Sequence, residues 1–282
     1  MATSTLKQLA KTTVELEITI PWSQVQVSYE KIGAQARSEM EVPGFRKGKA
    51  PKELTDKNID KTRVYEQVIR EIVPQLYAEA IKEHNLIPVT SPKIDVLKAK
   101  EKEDWLLKAT VPLKPKINLK NYKEKIKILK KAKPKIWTPG SDTKKEDEKK
   151  YSIDDLLKII LEEAEVELSD MLVTDEANRL LADLIDQTKK LGLTVEQYLI
   201  AKGKTTEQIK AEYAKQAQAN LKIQFILAEI ADQEKITVTR EDLAKMIEKV
   251  ENPEEREKLK NDSYYLAHLL RQQKTLDFLN TL

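Results

Sequence analysis

The chain has 282 residues, 50 basic against 47 acidic side chains for a net charge of +3, and 34% charged to 40% apolar residues. Few glycines and much Lys, Glu, Leu and Ala favour a mostly helical protein with enough apolar surface for a core. The absence of cysteine excludes disulfides, a thiol nucleophile and a cysteine metal site, and two histidines 184 positions apart, His84 and His268, offer no metal cluster, so no cofactor is expected. No apolar run approaches the ~20 residues of a membrane span and no signal segment opens the chain, so a cytoplasmic protein without a membrane partner is expected.

Thr12–Ile20 alternates, with Val14, Leu16, Ile18 and Ile20 on one face, and reads as a half-buried strand ended by Pro21. Ser23 is the expected cap of a helix to about Met40, carrying Val25, Tyr29, Ile32 and Ala36 at helical spacing. Val42 to Pro51 must be a loop, and Pro51 can open a short helix through Lys57. Thr62 is the expected cap of a long helix to His84, whose core stripe is Val64, Val68, Ile72, Leu76 and Ala80. Pro74 inside it predicts a kink. Lys93–Ala99 and Trp105–Leu113 read as two strands around a turn. The first 113 residues are therefore expected to be a β-α-α-β-β domain, and the whole an α+β, mostly helical protein.

Charge divides the rest. Residues 1–113 carry a net +2, residues 114–150 a net +9, and residues 151–282 a net −8. The middle segment, with Pro115, Pro134 and Pro139 and a charged run from Lys144 to Lys150, predicts an extended connector. It is either a solvated linker or an anion-facing strip; only Tyr122 and Trp137 interleave it, which makes an RNA surface a weak reading. From Ser152 onward the pattern is all helix. Ala164–Leu168 runs extended, Ser169 caps a helix that Gly192 stops, and Thr194…Gln197 and Thr205…Gln208 are capping boxes. The second box opens a helix to about Asp232, Thr239 caps another, and Ser263–Leu282 is the last. Long helices with short connections form hairpins, or arms, which can leave apolar residues facing outward.

No phosphate loop is present. Gly44 to Gly48 encloses three residues rather than four, and Ala50 supplies no magnesium ligand. No pair of carboxylates is singled out by spacing, and His84 near a helix end suits the dipole. What stands out is Phe45, flanked by Gly44 and Gly48 and by Arg46, Lys47 and Lys49. The ring either folds back on the helix 23–40 or forms a docking tip whose cations meet a polyanionic surface.

At this loop the sequence resembles the trigger factor family of bacterial ribosome-associated chaperones. The signature Gly-Phe-Arg-x-Gly-x-x-Pro stands complete as Gly44 to Pro51. Val14–Pro21, Ser91–Ile94, Gly192–Leu199 and Lys204–Glu207 are similar to further family segments. The resemblance implies that Gly44, Phe45, Arg46, Lys47, Gly48 and Lys49 dock residues 1–113 on a ribosomal protein and rRNA beside the exit tunnel. It implies that residues 151–282 form a chaperone domain shielding nascent chains without ATP, joined to the first by the connector 114–150. Candidate client contacts are Leu172, Tyr198, Leu199, Tyr213, Phe225 and Leu266, each of which can equally be ordinary helix packing. Family members usually carry an FKBP-like prolyl isomerase domain between the two parts, and no segment here fits one, so no enzymatic activity is expected. The alternatives are a ribosome-independent holdase or assembly scaffold, with a homodimer off the ribosome as an option, and an isomerase with a cryptic site.

Overall fold

The computed structural model describes residues 2–39, 45, 59–132, 152–248, 250, 252, 256–257, 259–260 and 262–282. The chain forms two compact units, residues 1–114 and 115–282.

The first unit is a sheet covered by two helices. Strand β2 (Thr13–Ile20) pairs with β4 (Trp105–Pro112), and β3 (Lys93–Lys98) adds to β4, all antiparallel. A strand that the sequence reading missed, β1 (Thr3–Gln8), adds to the other side of β2, giving the order β1-β2-β4-β3. Its residues are mostly exposed and only Leu6 is large and apolar, so periodicity carried no sign of it. Helices α1 (Trp22–Glu39) and α2 (Lys61–Glu83) place Val25, Ile32, Val64, Val68, Ile72, Val73, Leu76 and Ala80 against Leu16, Ile18, Leu107 and Ala109 of the sheet.

Two details of these helices differ from expectation. Ser23 lies inside α1; the helix starts at Trp22, whose backbone N–H donates to Asp104 Oδ1 at 2.9 Å. The cap of α2 is Asp60, not Thr62: its carboxylate accepts from the backbone N–H of Thr62 and Arg63, at 3.0 and 3.3 Å. A carboxylate also suits the positive helix end, which a hydroxyl does less well. Asp60→Ala is accordingly expected to cost ~1 kcal/mol in denaturant titration, and Asp60→Ser much less. As the long stripe predicts, α2 continues through Pro74 to Glu83. Pro74 is on the exposed face, so the carbonyl of Arg70 that loses its partner can be met by water, while Ile72 and Leu76 keep the helix on the core.

The second unit begins inside the segment expected to be an extended connector. Strand β5 (Ile117–Asn118) pairs with β6 (Glu165–Val166), and Tyr122–Ala132 is a helix, α3. The helical region is therefore not purely helical, and residues 115–132 belong to the same unit. Leu119, Tyr122 and Ile126 pack with Leu156 and Ile160 of α4 (Ile153–Glu163), with Ile226, Leu227 and Ile230 near the end of α7 (Thr206–Gln233), and with Leu279 near the end of α9 (Ser263–Thr281). Four lysines in the described part of the basic strip are engaged. Lys120 pairs with Glu165 at 2.6 Å, Lys123 with Glu234 at 2.6 Å and Lys125 with Glu163 at 3.3 Å, while Lys130 donates to the carbonyl of Asn280 at 2.7 Å. The positive segment and the negative helical region thus meet within one unit.

Between these lie α5 (Asp170–Lys190), α6 (Val195–Lys202) and α8 (Arg240–Glu248). Ser169 caps α5 through Met171 N, and both capping boxes form as the spacing predicts. Gly192 ends α5 at φ +73°, its N–H bonded to the Lys189 carbonyl and that of Leu193 to Thr188, a left-handed turn that glycine makes at little cost. Helix α8 has no buried residue; Asp242 holds it, accepting from Lys274 of α9 at 2.5 Å and from the backbone N–H and hydroxyl of its own cap, Thr239. The Lys274 ammonium first, and then the Thr239 donors, hold the Asp242 carboxyl well below the usual carboxylate range. A depressed carboxylate stabilises above its ordinary value of about 4 and loses that contribution as pH falls toward the folded value. Lys274→Met is therefore expected to speed amide exchange in α8 at neutral pH, and the difference from wild type should shrink as the solution is made acid.

Candidate functional site

Helix α1 ends at Glu39 and the cap of α2 is Asp60, so the Gly-bounded loop spans the two helices that cover the sheet. Within it Phe45 is 45% exposed and takes no part in the core of the first unit. Gly44, Arg46, Lys47, Gly48 and Lys49 lie outside the described residues, as does the short helix expected from Pro51 to Lys57.

The two helices on either side of this loop are joined by an aromatic stack on the sheet. Trp105 at the start of β4 is 1% exposed, and its indole N–H donates to the Lys100 carbonyl at 3.1 Å. Tyr65 of α2 meets it edge-on, with ring centroids 5.6 Å apart, and Tyr29 of α1 lies 4.9 Å from Tyr65. Burial, and then the charge of Glu101, push the Tyr65 hydroxyl up to about 12, so it stays neutral and the stack carries no charge at physiological pH. Lys31 of α1 and Glu71 of α2 pair at 2.5 Å, an exposed contact of small energetic weight.

The six client candidates fall into two groups. Leu172 and Leu266 are buried, which makes them packing residues rather than open contacts. Their apolar spacing could not distinguish the two roles. Tyr198, Leu199, Tyr213 and Phe225 are half-buried. Tyr198 and Tyr213 lie near each other: burial raises the Tyr213 hydroxyl, and the neighbouring Tyr198 adds to it. The Lys202 ammonium sits 5.8 Å from the Tyr198 ring centroid, and Lys204 pairs with Glu212 beside them.

Other open apolar residues of the second unit were missed. Leu191 and Leu193 flank the turn at Gly192, Ile200 projects from α6, and Tyr264, Tyr265 and Leu269 lie on α9. Two signals pointed to them. Adjacent large aromatics such as Tyr264 and Tyr265 cannot both face one core, and leucines either side of a glycine stop lie where packing ends. Among the described residues no group of three or more His, Asp or Glu is placed to hold a metal ion, and no helix is long and apolar enough to cross a membrane.

These elements define a largely helical α+β protein built from a helix-covered sheet and a hairpin-rich helical unit. The chain belongs to the trigger factor family: residues 1–138 match the model for "Bacterial trigger factor protein (TF)" and residues 129–280 that for its C-terminus. The matched segments overlap, so no stretch of chain lies between them. The trigger factor of Pelotomaculum thermopropionicum is 31% identical over 177 residues, covering 62% of this chain and 39% of the relative. That of Mycolicibacterium smegmatis is 31% identical over 125 residues, covering 44% and 26%. The chain thus spans about two-fifths or less of the length of these relatives. A solved structure described under promiscuous substrate recognition in the folding and assembly activities of the trigger factor chaperone aligns over 98% of this chain and 99% of that one. Its TM-score is 0.65 at 13% identity, a likeness of fold.

Proposed function

We propose that this protein is an ATP-independent chaperone of the bacterial cytoplasm that docks beside the ribosomal exit tunnel and shields emerging polypeptides. The observation that carries this is the open Phe45 ring within a complete family signature, Gly44 to Pro51. An exposed aromatic among Arg46, Lys47 and Lys49 suits a site that offers an apolar pocket beside phosphate. The helical unit supports the second half of the reading. Tyr198, Leu199, Tyr213 and Phe225 are half-buried, and Leu191, Ile200, Tyr264 and Tyr265 are open. Many weak apolar contacts of this kind hold a chain briefly without nucleotide. Leu172 and Leu266 belong to the packing beneath.

Isomerase activity is not part of the proposal; the overlap of the two matched family segments supports leaving it out. The open apolar residues of the second unit favour one alternative, a holdase or scaffold working off the ribosome, alone or as a homodimer. Co-sedimentation with 70S ribosomes separates the readings. Salt-sensitive binding by the wild type, lost in Phe45→Ala/Arg46→Ala/Lys47→Ala, is the expected result. No binding by the wild type at low salt would overturn docking and leave the holdase.

A further inference from the structure

We propose that the free edge of β3 captures an extended, alternately apolar stretch of a client chain as a transient fifth strand of the sheet. Strand β3 is terminal in the order β1-β2-β4-β3, and among the described residues nothing pairs with its outer backbone groups.

The register shows what an added strand would meet. Val96 lies opposite Leu107, which lies opposite Ile18; Ile94 lies opposite Ala109, which lies opposite Leu16. These are two apolar rows crossing the sheet on its core face. Ile18, Leu107, Leu16 and Ala109 are buried, yet Val96 is 46% and Ile94 37% exposed, because the helices cover β2 and β4 and the rows run on beyond them. A side chain period of two means that one added strand with apolar residues two apart would extend both rows at once. Ile87, Val89 and Leu97 are also open along this side of the domain. Residues 87 and 89 continue the same edge, with Val89 N–H bonded to the Pro112 carbonyl and Lys114 N–H to that of Ile87.

The charges select a partner unlike β3 itself. Lys93 and Lys98 stand at its two ends, Lys98 paired with Glu103 at 2.7 Å, and Asp95 lies between them, 3.9 Å from Lys108. Antiparallel pairing of two copies about the middle of β3 would set Lys93 of each against Lys98 of the other, like charges directly opposite. A client stretch with an acidic residue beyond its apolar core has the complementary charge at the Lys93 end. The ladder is regular only over Lys93–Val96, where a bulge interrupts it, so pairing is short and the captured strand leaves quickly. That suits holding a growing chain rather than storing it. The proposal rests on the chaperone reading for the source of its partner, but not on ribosome docking.

The test uses the full chain and a fluorescent decapeptide alternating valine and threonine between aspartates, read by anisotropy. Saturable binding is expected, weakened at least about tenfold by Ile94→Asp/Val96→Asp and by N-methylation of alternate peptide amides. Both substituted positions are open to solvent, and circular dichroism checks that the variant folds. No saturable binding, or binding within about twofold for the N-methylated peptide or the double variant, would overturn strand addition. Wild-type self-association abolished by the double variant would assign the edge to a second copy and overturn it equally. The double variant should still co-sediment with ribosomes. If the wild type fails on ribosomes while the peptide binds, docking falls and the strand site stands.

Discussion

Trp105→Ala is expected to destabilise the first unit by about 3–5 kcal/mol, a large part of the total stability of an ordinary domain. The indole is 1% exposed at the end of the central strand pair, opposite Ile20 of β2 and edge-on to Tyr65 of α2. Truncation opens a cavity that the strand backbone cannot close, and it removes the donor now bonded to the Lys100 carbonyl. The two hydrophobic clusters share no residue. Denaturation followed by circular dichroism should therefore show an early transition for residues 1–114, while the transition of residues 115–282 stays where the wild type has it. A single transition that moves as a whole would mean that the units unfold together. Because α1 and α2 carry the Phe45 loop between them, the same variant should lose ribosome binding under conditions where only the first unit is unfolded.

Much of this fold was legible in local patterns. Strand β2 shows itself in four alternating aliphatics, and the capping boxes at Thr194 and Thr205 fix two helix starts to the residue. What escaped depends on partners distant in sequence. Strand β1 has no pattern of its own and exists because β2 presents an edge to it; Thr3 pairs with Thr19 and Gln8 with Val14. Helix α3 escaped for another reason. Tyr122, Ile126 and Leu129 do recur at helical spacing, but the prolines around them and the excess of lysine outweighed that signal. The carboxylates that neutralise Lys120, Lys123 and Lys125 come from Glu165, Glu234 and Glu163, up to 111 positions away in sequence, and no local reading pairs them. The candidate site divides in the same way. Phe45 was singled out by its chemistry, a large ring between glycines, and the ring is exposed. Leu172 and Leu266 could not be told from surface residues, since an amphipathic stripe looks the same whether a partner helix or a client covers it.

If the loop docks as proposed, its ring and its cations should separate in a ribosome titration. Phe45→Ala is expected to weaken binding about tenfold or more at every salt concentration, because a buried aromatic anchor contributes through area and shape that ions hardly screen. Arg46→Ala/Lys47→Ala should act differently. Each cation that meets phosphate releases a counterion, so each one lost should flatten the dependence of log affinity on log salt by about one. The double variant would then bind poorly at low salt, yet approach the wild type as salt rises and the electrostatic part fades for both. A steep salt slope that survives in the double variant would place the phosphate contacts elsewhere on the protein. Lys120, Lys123 and Lys125 are poor candidates for them, since they already hold carboxylates and would have to release them first. A Phe45→Ala variant that binds as tightly as the wild type would leave the exposed ring without a partner and turn attention to the open apolar residues of the helical unit.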